Sequence, residues 1–382
     1  MKTFKAIGYV LSAVGAGLLS HPVVKEGFFH AGYRWGYLLL FSFLVCFLAT
    51  LLVQWVARRL KVLDYPDSRK VHLAPTPLLG GVAVAGTFAL TLLYNFNFSL
   101  GLKGVVLGAG IVFFSGVIDD IFGLPAGIKL LIQIVATYVL IRFGVAFNFF
   151  RMTILGSIAN NLLTFLWVVG ITNAVNFFDG MDGLAIGVGI VASFFFSLVA
   201  IQTRQYYMMY ISVALLGSCL GFLPYNFKPR GSASIFLGDA GSTFIGFTLA
   251  GLAVLGEWAA NNPVKALSTP LLILGVLVFD MIYITVARIA SGRVRNFREW
   301  IGYVGKDHLH HRLEALGLSK KQSVLFIYFM MTILGLGALV LKRGETGEAL
   351  LILSQSALLL LMVTILMIKG RANSSPKPDE QR

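Results

Sequence analysis

Twelve apolar segments recur along the chain, and they constrain its fold more than any other feature. They fall at about residues 5–20, 36–56, 79–94, 102–118, 128–143, 160–175, 183–201, 207–223, 241–256, 268–289, 323–341 and 348–368. A helix needs about 20 apolar residues to cross a bilayer, and a many-helix bundle tolerates the shorter ones. The expected fold is all-α: a polytopic membrane helical bundle of 11–12 transmembrane helices. The twelfth depends on the first segment, since MKTFK followed by an apolar run also fits a signal peptide. No polar stretch is long enough for a separate soluble domain, and no repeat recurs at a fixed period. The expected division is an N-terminal apolar segment and external loop (1–34), a transmembrane domain (35–368) and a polar tail (369–382).

Composition narrows the class. Hydrophobic residues make up 57% of the chain and charged residues 13%. A soluble chain is closer to about 25% charged, so an ordinary cytosolic enzyme and a disordered protein are both excluded. The net charge is +14. In a soluble protein that would point to nucleic acid. In a chain this apolar it asks which side of a membrane holds the positive charge, and no nucleic-acid partner is expected. Alternation of the segments places the loops at 57–78, 119–127, 176–182, 224–240 and 290–322 on one side with the C-terminal tail. With helix-end residues such as Lys129 and Arg288 assigned to the nearest side, and Lys2 and Lys5 included if the first segment spans, that side collects 22 of the 31 basic residues and the other side nine, which predicts a cytoplasmic location for it. Cys46 and Cys219 both lie in apolar runs and imply neither a disulfide framework nor a zinc site.

The acids are scarcer and more informative, because an ionisable group near the hydrocarbon is costly. Asp119 and Asp120 end a helix in GVIDDIFGLP, Asp179 and Asp182 sit in NAVNFFDGMDGLA, and Asp239 opens a helix in IFLGDAGSTFIGF. Each has a plain structural reading: a solvated last turn, turn chemistry, an N-cap. Together they gather on the predicted cytoplasmic boundary from three distant loops. Adjacent carboxylates repel unless a cation neutralises them. Hard oxygen ligands at a membrane edge suit Mg²⁺, which keeps several waters and bridges substrate phosphates.

Basic groups complement these acids. Arg69, Lys70 and His72 precede a Gly-Gly helix start in DYPDSRKVHLAPTPLLGG, where cations beside a helix N-terminus make a phosphate site. His308, His310 and His311 cluster in a long basic loop, and His308 and His311 share a face if the segment is helical. Alone the cluster reads as a soft metal site or a surface patch; beside phosphates, histidine binds them or moves protons. Asp280, inside an apolar run, reads either as an ion-pair partner for Arg288 two turns on or as a site residue. The sum is phosphoryl chemistry at the bilayer edge on a membrane-bound acceptor, which needs positioning and neutralised oxygens more than a covalent nucleophile.

In their order and wording these motifs resemble the polyprenyl-phosphate N-acetylhexosamine-1-phosphate transferases. The matching residues are DYPDSRKVHLAPTPLLGG, GVIDDIFGLP, NAVNFFDGMDGLA, IFLGDAGS and DHLHHRL, covering about 57–325. The chain is more similar to the undecaprenyl-phosphate GlcNAc-1-phosphate transferase branch than to the phospho-MurNAc-pentapeptide translocases. The latter carry three consecutive histidines, whereas Leu309 interrupts them here. The resemblance implies a bacterial inner-membrane enzyme with a cytoplasmic active site. It would transfer GlcNAc-1-phosphate from a UDP-sugar to undecaprenyl phosphate, release UMP, and open a cell-envelope polysaccharide pathway. Mg²⁺ is the implied cofactor, with Mn²⁺ the alternative, and a homodimer is compatible with the family.

Carried over by motif, Asp119 would orient or deprotonate the lipid phosphate, with Asp120 in support, and Asp239 would ligate the metal. Asn173, Asn176, Asp179 and Asp182 would line the nucleotide site. Lys70, His72, His308, His310 and His311 would contact phosphate, with Asn226 and Arg69 as further site residues. One departure stands out: NFREWIGYVGK, before the histidines, is longer than the family's usual stretch. That loop is expected to shape the sugar pocket, so UDP-GalNAc, UDP-QuiNAc and UDP-FucNAc stay open beside UDP-GlcNAc. Direct attack by the lipid phosphate is preferred over a covalent aspartyl intermediate, because the acceptor is already an oxyanion. The competing class is a secondary transporter, which would place its binding groups near the midplane on broken helices.

Overall fold

The computed structural model describes residues 2–65, 75–95, 99–151, 153–258, 263–296, 299, 303, 305, 307–341 and 346–374. Arg69, Lys70 and His72 lie outside the described residues. Fifteen α-helices account for nearly all of the secondary structure described. Each predicted apolar segment contains a helix, so the all-α membrane fold is what the sequence adopts. Among the described residues eight helices are long and apolar enough to cross a bilayer, or nine if one bent pair is counted as a single span, against the 11–12 expected. The shortfall is one of length. At about 1.5 Å per residue, the 16 residues of α4 (Gly80–Asn95) and the 17 of α6 (Ala126–Arg142) fall short of a hydrocarbon core of about 30 Å.

The chain divides into two compact units, Met1–Glu257 and Trp258–Arg382. In the first, α1 (Lys2–Ser20) packs on α3 (Arg34–Arg59) and is joined to it by α2 (Pro22–His30). α5 (Leu100–Phe122), α7 (Ile154–Phe177) and α8 (Leu184–Gln202) surround α10 (Gly238–Leu255) together with α4, while α9 (Tyr206–Asn226) lies between α3 and α8. The sequence of α10, GDAGSTFIGFTLAGLAVL, explains its central place. Small residues let helix backbones approach closely where lipid supplies no hydrophobic drive between helices. Gly81 of α4 meets Gly241 so closely that any side-chain carbon on Gly81 would overlap the Gly241 backbone. A two-residue ribbon, β1 (Leu63–Asp64) against β2 (Thr76–Pro77), brings together the two ends of the basic first loop.

In the second unit the segment expected as one span at 268–289 is two helices, α11 (Pro263–Ile273) and α12 (Gly275–Ala290), bent by 84°. The break falls at Leu274–Gly275, just past Pro270 within α11. Proline strains the helix around it and glycine gives it little support. A short helix, α13 (Leu309–Ala315), precedes α14 (Lys320–Leu341) and α15 (Thr346–Ser374). Only 11% of the apolar stretch of α15 is buried, as expected of a helix that faces lipid.

Candidate active site

The N-terminus of α10 is where the first unit collects its acids. Leu237 precedes the helix without capping it, so the leading amides need acceptors from elsewhere. Asp120, in the last turn of α5, supplies two: its Oδ1 accepts from Asp239 N at 2.7 Å and its Oδ2 from Ala240 N at 3.2 Å. Asp179 lies near the Gly238 amide and the Asp120 and Asp239 carboxylates. Gly238 has φ +74°, and a side chain there would strike the Asp120 carboxylate. Acids at the end of α5 oppose that helix's own dipole. Facing the positive end of α10 compensates for that placement.

Asp119 and Asp239 are joined by a residue that sequence reasoning missed. Lys129 Nζ donates to Asp119 Oδ2 at 2.9 Å and to Asp239 Oδ2 at 2.8 Å. The second Asp119 oxygen accepts from the Leu124 amide, where Gly123 (φ +71°) ends α5. Two carboxylates from different helices therefore converge on a single cation. By charge alone Lys129 is one more basic residue of the predicted cytoplasmic side. Its place at the start of an apolar helix, ten residues beyond Asp119, was the available signal.

The amides at the end of α7 brace the same region. Asn173 Nδ2 donates to Gln133 Oε1 of α6 at 2.6 Å, and Gln133 Nε2 donates back to Asn173 Oδ1 at 3.3 Å. Asn176 Nδ2 donates to Ser242 Oγ of α10 at 2.9 Å. Asp182 Oδ2 accepts from Ala233 N at 2.7 Å. Asn226 accepts from Gly183 N at 2.9 Å and donates to Ile235 O at 3.1 Å. Asn226 thus ties the chain after the Asp179–Asp182 turn to the segment leading into α10. The structure brings Asp119, Asp120, Asp179 and Asp239 together, with Asp182 close behind.

The second unit holds the histidines. His308 is the N-cap of α13, with ψ 157°, so it lies outside the helix and does not share a helical face with His311 as expected. His310 and His311 lie with ring centroids 4.2 Å apart and ring planes tilted by 47°, and His308 stacks on His310 at 5.9 Å. Burial pushes His310 down to about 3, and His311 and His308 add to the effect, so this ring is neutral at physiological pH. The expected Asp280–Arg288 pair does not form. Arg288 instead donates to Asp307, from Nε to Oδ2 at 2.8 Å and from Nη2 to Oδ1 at 2.7 Å. Asp280 is taken by α13: its Oδ2 lies 2.8 Å from His308 Nδ1, and its Oδ1 accepts from Leu309 N at 2.7 Å. The start of α13 lies against the buried Asp280 of α12. Burial alone would raise the Asp307 carboxyl, but the Arg288 guanidinium outweighs it and holds the group below the ordinary carboxylate range.

A divalent cation fits the donor set of the first unit. Among the described residues no three His, Cys, Asp or Glu side chains form a ready metal cage. Mg²⁺ is commonly held by only one or two carboxylates, with substrate phosphates and water completing its shell. The pair of oxygens that meets the Lys129 ammonium is of that kind.

Comparison with known proteins bears on the same residues. The family model described as "Glycosyl transferase family 4" matches residues 102–257, a stretch that contains every acid of the first-unit cluster. The chain is 34% identical to the probable undecaprenyl-phosphate N-acetylglucosaminyl 1-phosphate transferase of Bacillus subtilis (strain 168), over 88% of this chain and 92% of that protein. It is 32% identical to the decaprenyl-phosphate N-acetylglucosaminephosphotransferase of Mycolicibacterium smegmatis, over 86% of this chain and 87% of that one. To the undecaprenyl-phosphate alpha-N-acetylglucosaminyl 1-phosphate transferase of Escherichia coli (strain K12) it is 29% identical, over 71% and 74% of the two chains.

Proposed function

Since the chain belongs to glycosyl transferase family 4, in its polyprenyl-phosphate GlcNAc-1-phosphate transferase branch, we propose that it moves GlcNAc-1-phosphate from UDP-GlcNAc to undecaprenyl phosphate. The products are a lipid-linked diphospho-sugar and UMP, and the reaction opens an envelope polysaccharide pathway. The observation that carries this reading is the convergence of Asp119 and Asp239 on one cation at the paired ends of α5 and α10. A phosphate transfer between two anions needs that kind of neutralising centre, placed at a helix end near the membrane edge.

Asp119 and Asp239 would hold Mg²⁺, which draws charge from the diphosphate oxygens and makes the nucleotide a better leaving group. Asp119 also orients the lipid phosphate for direct attack on the β-phosphorus of the donor. Asp120 fixes α10 through two amides, and so sets where Asp239 stands. Asn173, Asn176, Asp179 and Asp182 receive the nucleotide at the end of α7. Lys70, His72 and Arg69 are assigned phosphate contacts, and so, within the second unit, are His308, His310 and His311. The surplus of basic residues, 22 against nine, supports placing this end of the helices and the C-terminus in the cytoplasm.

The long stretch before the histidines makes the sugar the first point to test. Purified protein with undecaprenyl phosphate, Mg²⁺ and a panel of radiolabelled UDP-sugars should transfer label to lipid from UDP-GlcNAc. Label carried instead from UDP-GalNAc, UDP-QuiNAc or UDP-FucNAc would reassign the donor while leaving the reaction class in place.

A further inference from the structure

We infer that Ser242 is a positioning residue for Asn176: it holds the Asn176 amide by its Nδ2, so that the carbonyl oxygen Oδ1 is the atom offered to the donor nucleotide. This rests on the transferase reading above, which places Asn176 at the nucleotide site, and extends it to a residue outside the motif acids and amides.

Ser242 lies in the second turn of α10 and is fully buried. Its hydroxyl has one proton to give. That proton goes to Gly238 O, one turn back in the same helix, at 3.0 Å, as serines within helices commonly bond. Toward Asn176 the hydroxyl oxygen can therefore only accept. Asn176, in the last turn of α7, turns its Nδ2 to it at 2.9 Å. The other end of the amide, Oδ1, faces away from Ser242. Asn176 is only half-buried, and among the described residues Oδ1 accepts no hydrogen bond.

Two features show that the bond serves the amide and not only the packing of α7 on α10. The preceding turn of α7 is already tied: Asn173 exchanges hydrogen bonds with Gln133 of α6 through both ends of its amide. Asn176 is tied by one end. The last turn of a helix also carries unpaired carbonyls and the negative end of the dipole. An open amide oxygen adds to that negative potential, which an electropositive ligand relieves. Such an oxygen takes an O–H or N–H of the nucleotide, or a divalent cation carried on its phosphate; it repels a bare phosphate oxygen. The tie is close to the acids. Asp239 and Ser242 are three residues apart on one face of α10, so Asn176 is fastened one turn from the carboxylate that meets Lys129.

The test is calorimetric binding of UMP to full-length protein in nanodiscs, once with Mg²⁺ and once with EDTA. Wild type, Ser242→Ala, Asn176→Ala and the double variant form a cycle. Ser242→Ala should raise Kd about 3–10-fold, the scale of one net hydrogen bond, and should cost nothing further in the Asn176→Ala background. A loss under both conditions assigns the oxygen to an O–H or N–H of the nucleotide, and a loss with Mg²⁺ alone assigns it to the cation. An unchanged Kd in Ser242→Ala, or an equal loss with and without Asn176, would overturn the inference. The orientation is read in the wild type with no nucleotide, so it stands even if the variants do not fold. In NMR of protein labelled with ¹⁵N-asparagine, the Asn176 Nδ2 protons should show nuclear Overhauser contacts to the Ser242 β-protons. A wild type without those contacts would equally overturn it. A protein that shows them but binds no UMP would refute the transferase reading and leave the held amide in place.

Discussion

Lys129 meets two carboxylates, Asp119 and Asp239, with a single ammonium. Without it, and without a metal, the two acids repel across the gap between α5 and α10. Lys129→Met should therefore lower the melting temperature in EDTA by the equivalent of about 1–2 kcal/mol, a part-exposed pair costing less than a fully buried one. Millimolar Mg²⁺ should restore more stability to the variant than it adds to the wild type. Equal Mg²⁺ effects in thermal unfolding of the two proteins would separate the lysine from the metal site. At this scale the sequence was readable where composition made a residue costly. Five acids at helix ends in an apolar chain stood out, and the structure brings four of them together. Lys129 did not stand out, because a basic residue at a helix end also satisfies the charge bias of the membrane. Nor was Asp280 assigned its true partner, since two turns along one helix reached Arg288 while the fold reached His308.

Among the elements, α12 is joined to the residues leading into α13 by the Arg288–Asp307 pair, both members of which are nearly buried. Its pH dependence has a definite sign. The Asp307 carboxyl is depressed in the folded protein, so the pair's contribution is fully present above the unfolded carboxyl pKa of about 3.9 and is lost as pH falls through the folded value. At neutral pH Asp307→Asn should destabilise by about 3–5 kcal/mol, the cost of leaving one buried charge alone. The gap from wild type should narrow below about pH 4. A gap in chemical denaturation that stays constant with pH would show that the pair contributes through packing and not charge. Hydropathy revealed every helix of a predicted segment but not the 84° bend after Pro270. A bend leaves the apolar content of a segment unchanged. Hydropathy was equally silent on where α13 begins, because His308 differs from a helical residue only in its backbone angles.

At the scale of the molecule, the alternation of apolar segments grouped the loops that the first unit brings together. The end of α5 meets the start of α10 at Asp120 and Asp239. The start of α4 meets the approach to α10 through Gly80 N and Phe236 O at 3.0 Å, and the Asp179–Asp182 turn meets the same approach at Ala233. Grouping by side was legible because a helix that crosses a bilayer must change sides. What each group does within the cluster was not, because helix order along the chain does not say which helix lies at the centre. That place fell to α10, whose small residues admit close neighbours and whose first amides hold Asp120. The central claim is that this cluster transfers a sugar phosphate to a lipid phosphate with a metal between Asp119 and Asp239. The most direct test is UMP release by purified wild type and Asp239→Asn, with UDP-GlcNAc, undecaprenyl phosphate and Mg²⁺ supplied together and each omitted in turn. The account predicts release by the wild type only when all three are present, and a fall in Asp239→Asn of at least about 100-fold, the scale of losing one electrostatic stabiliser. Undiminished release by Asp239→Asn, or release that does not require the lipid phosphate, would contradict it.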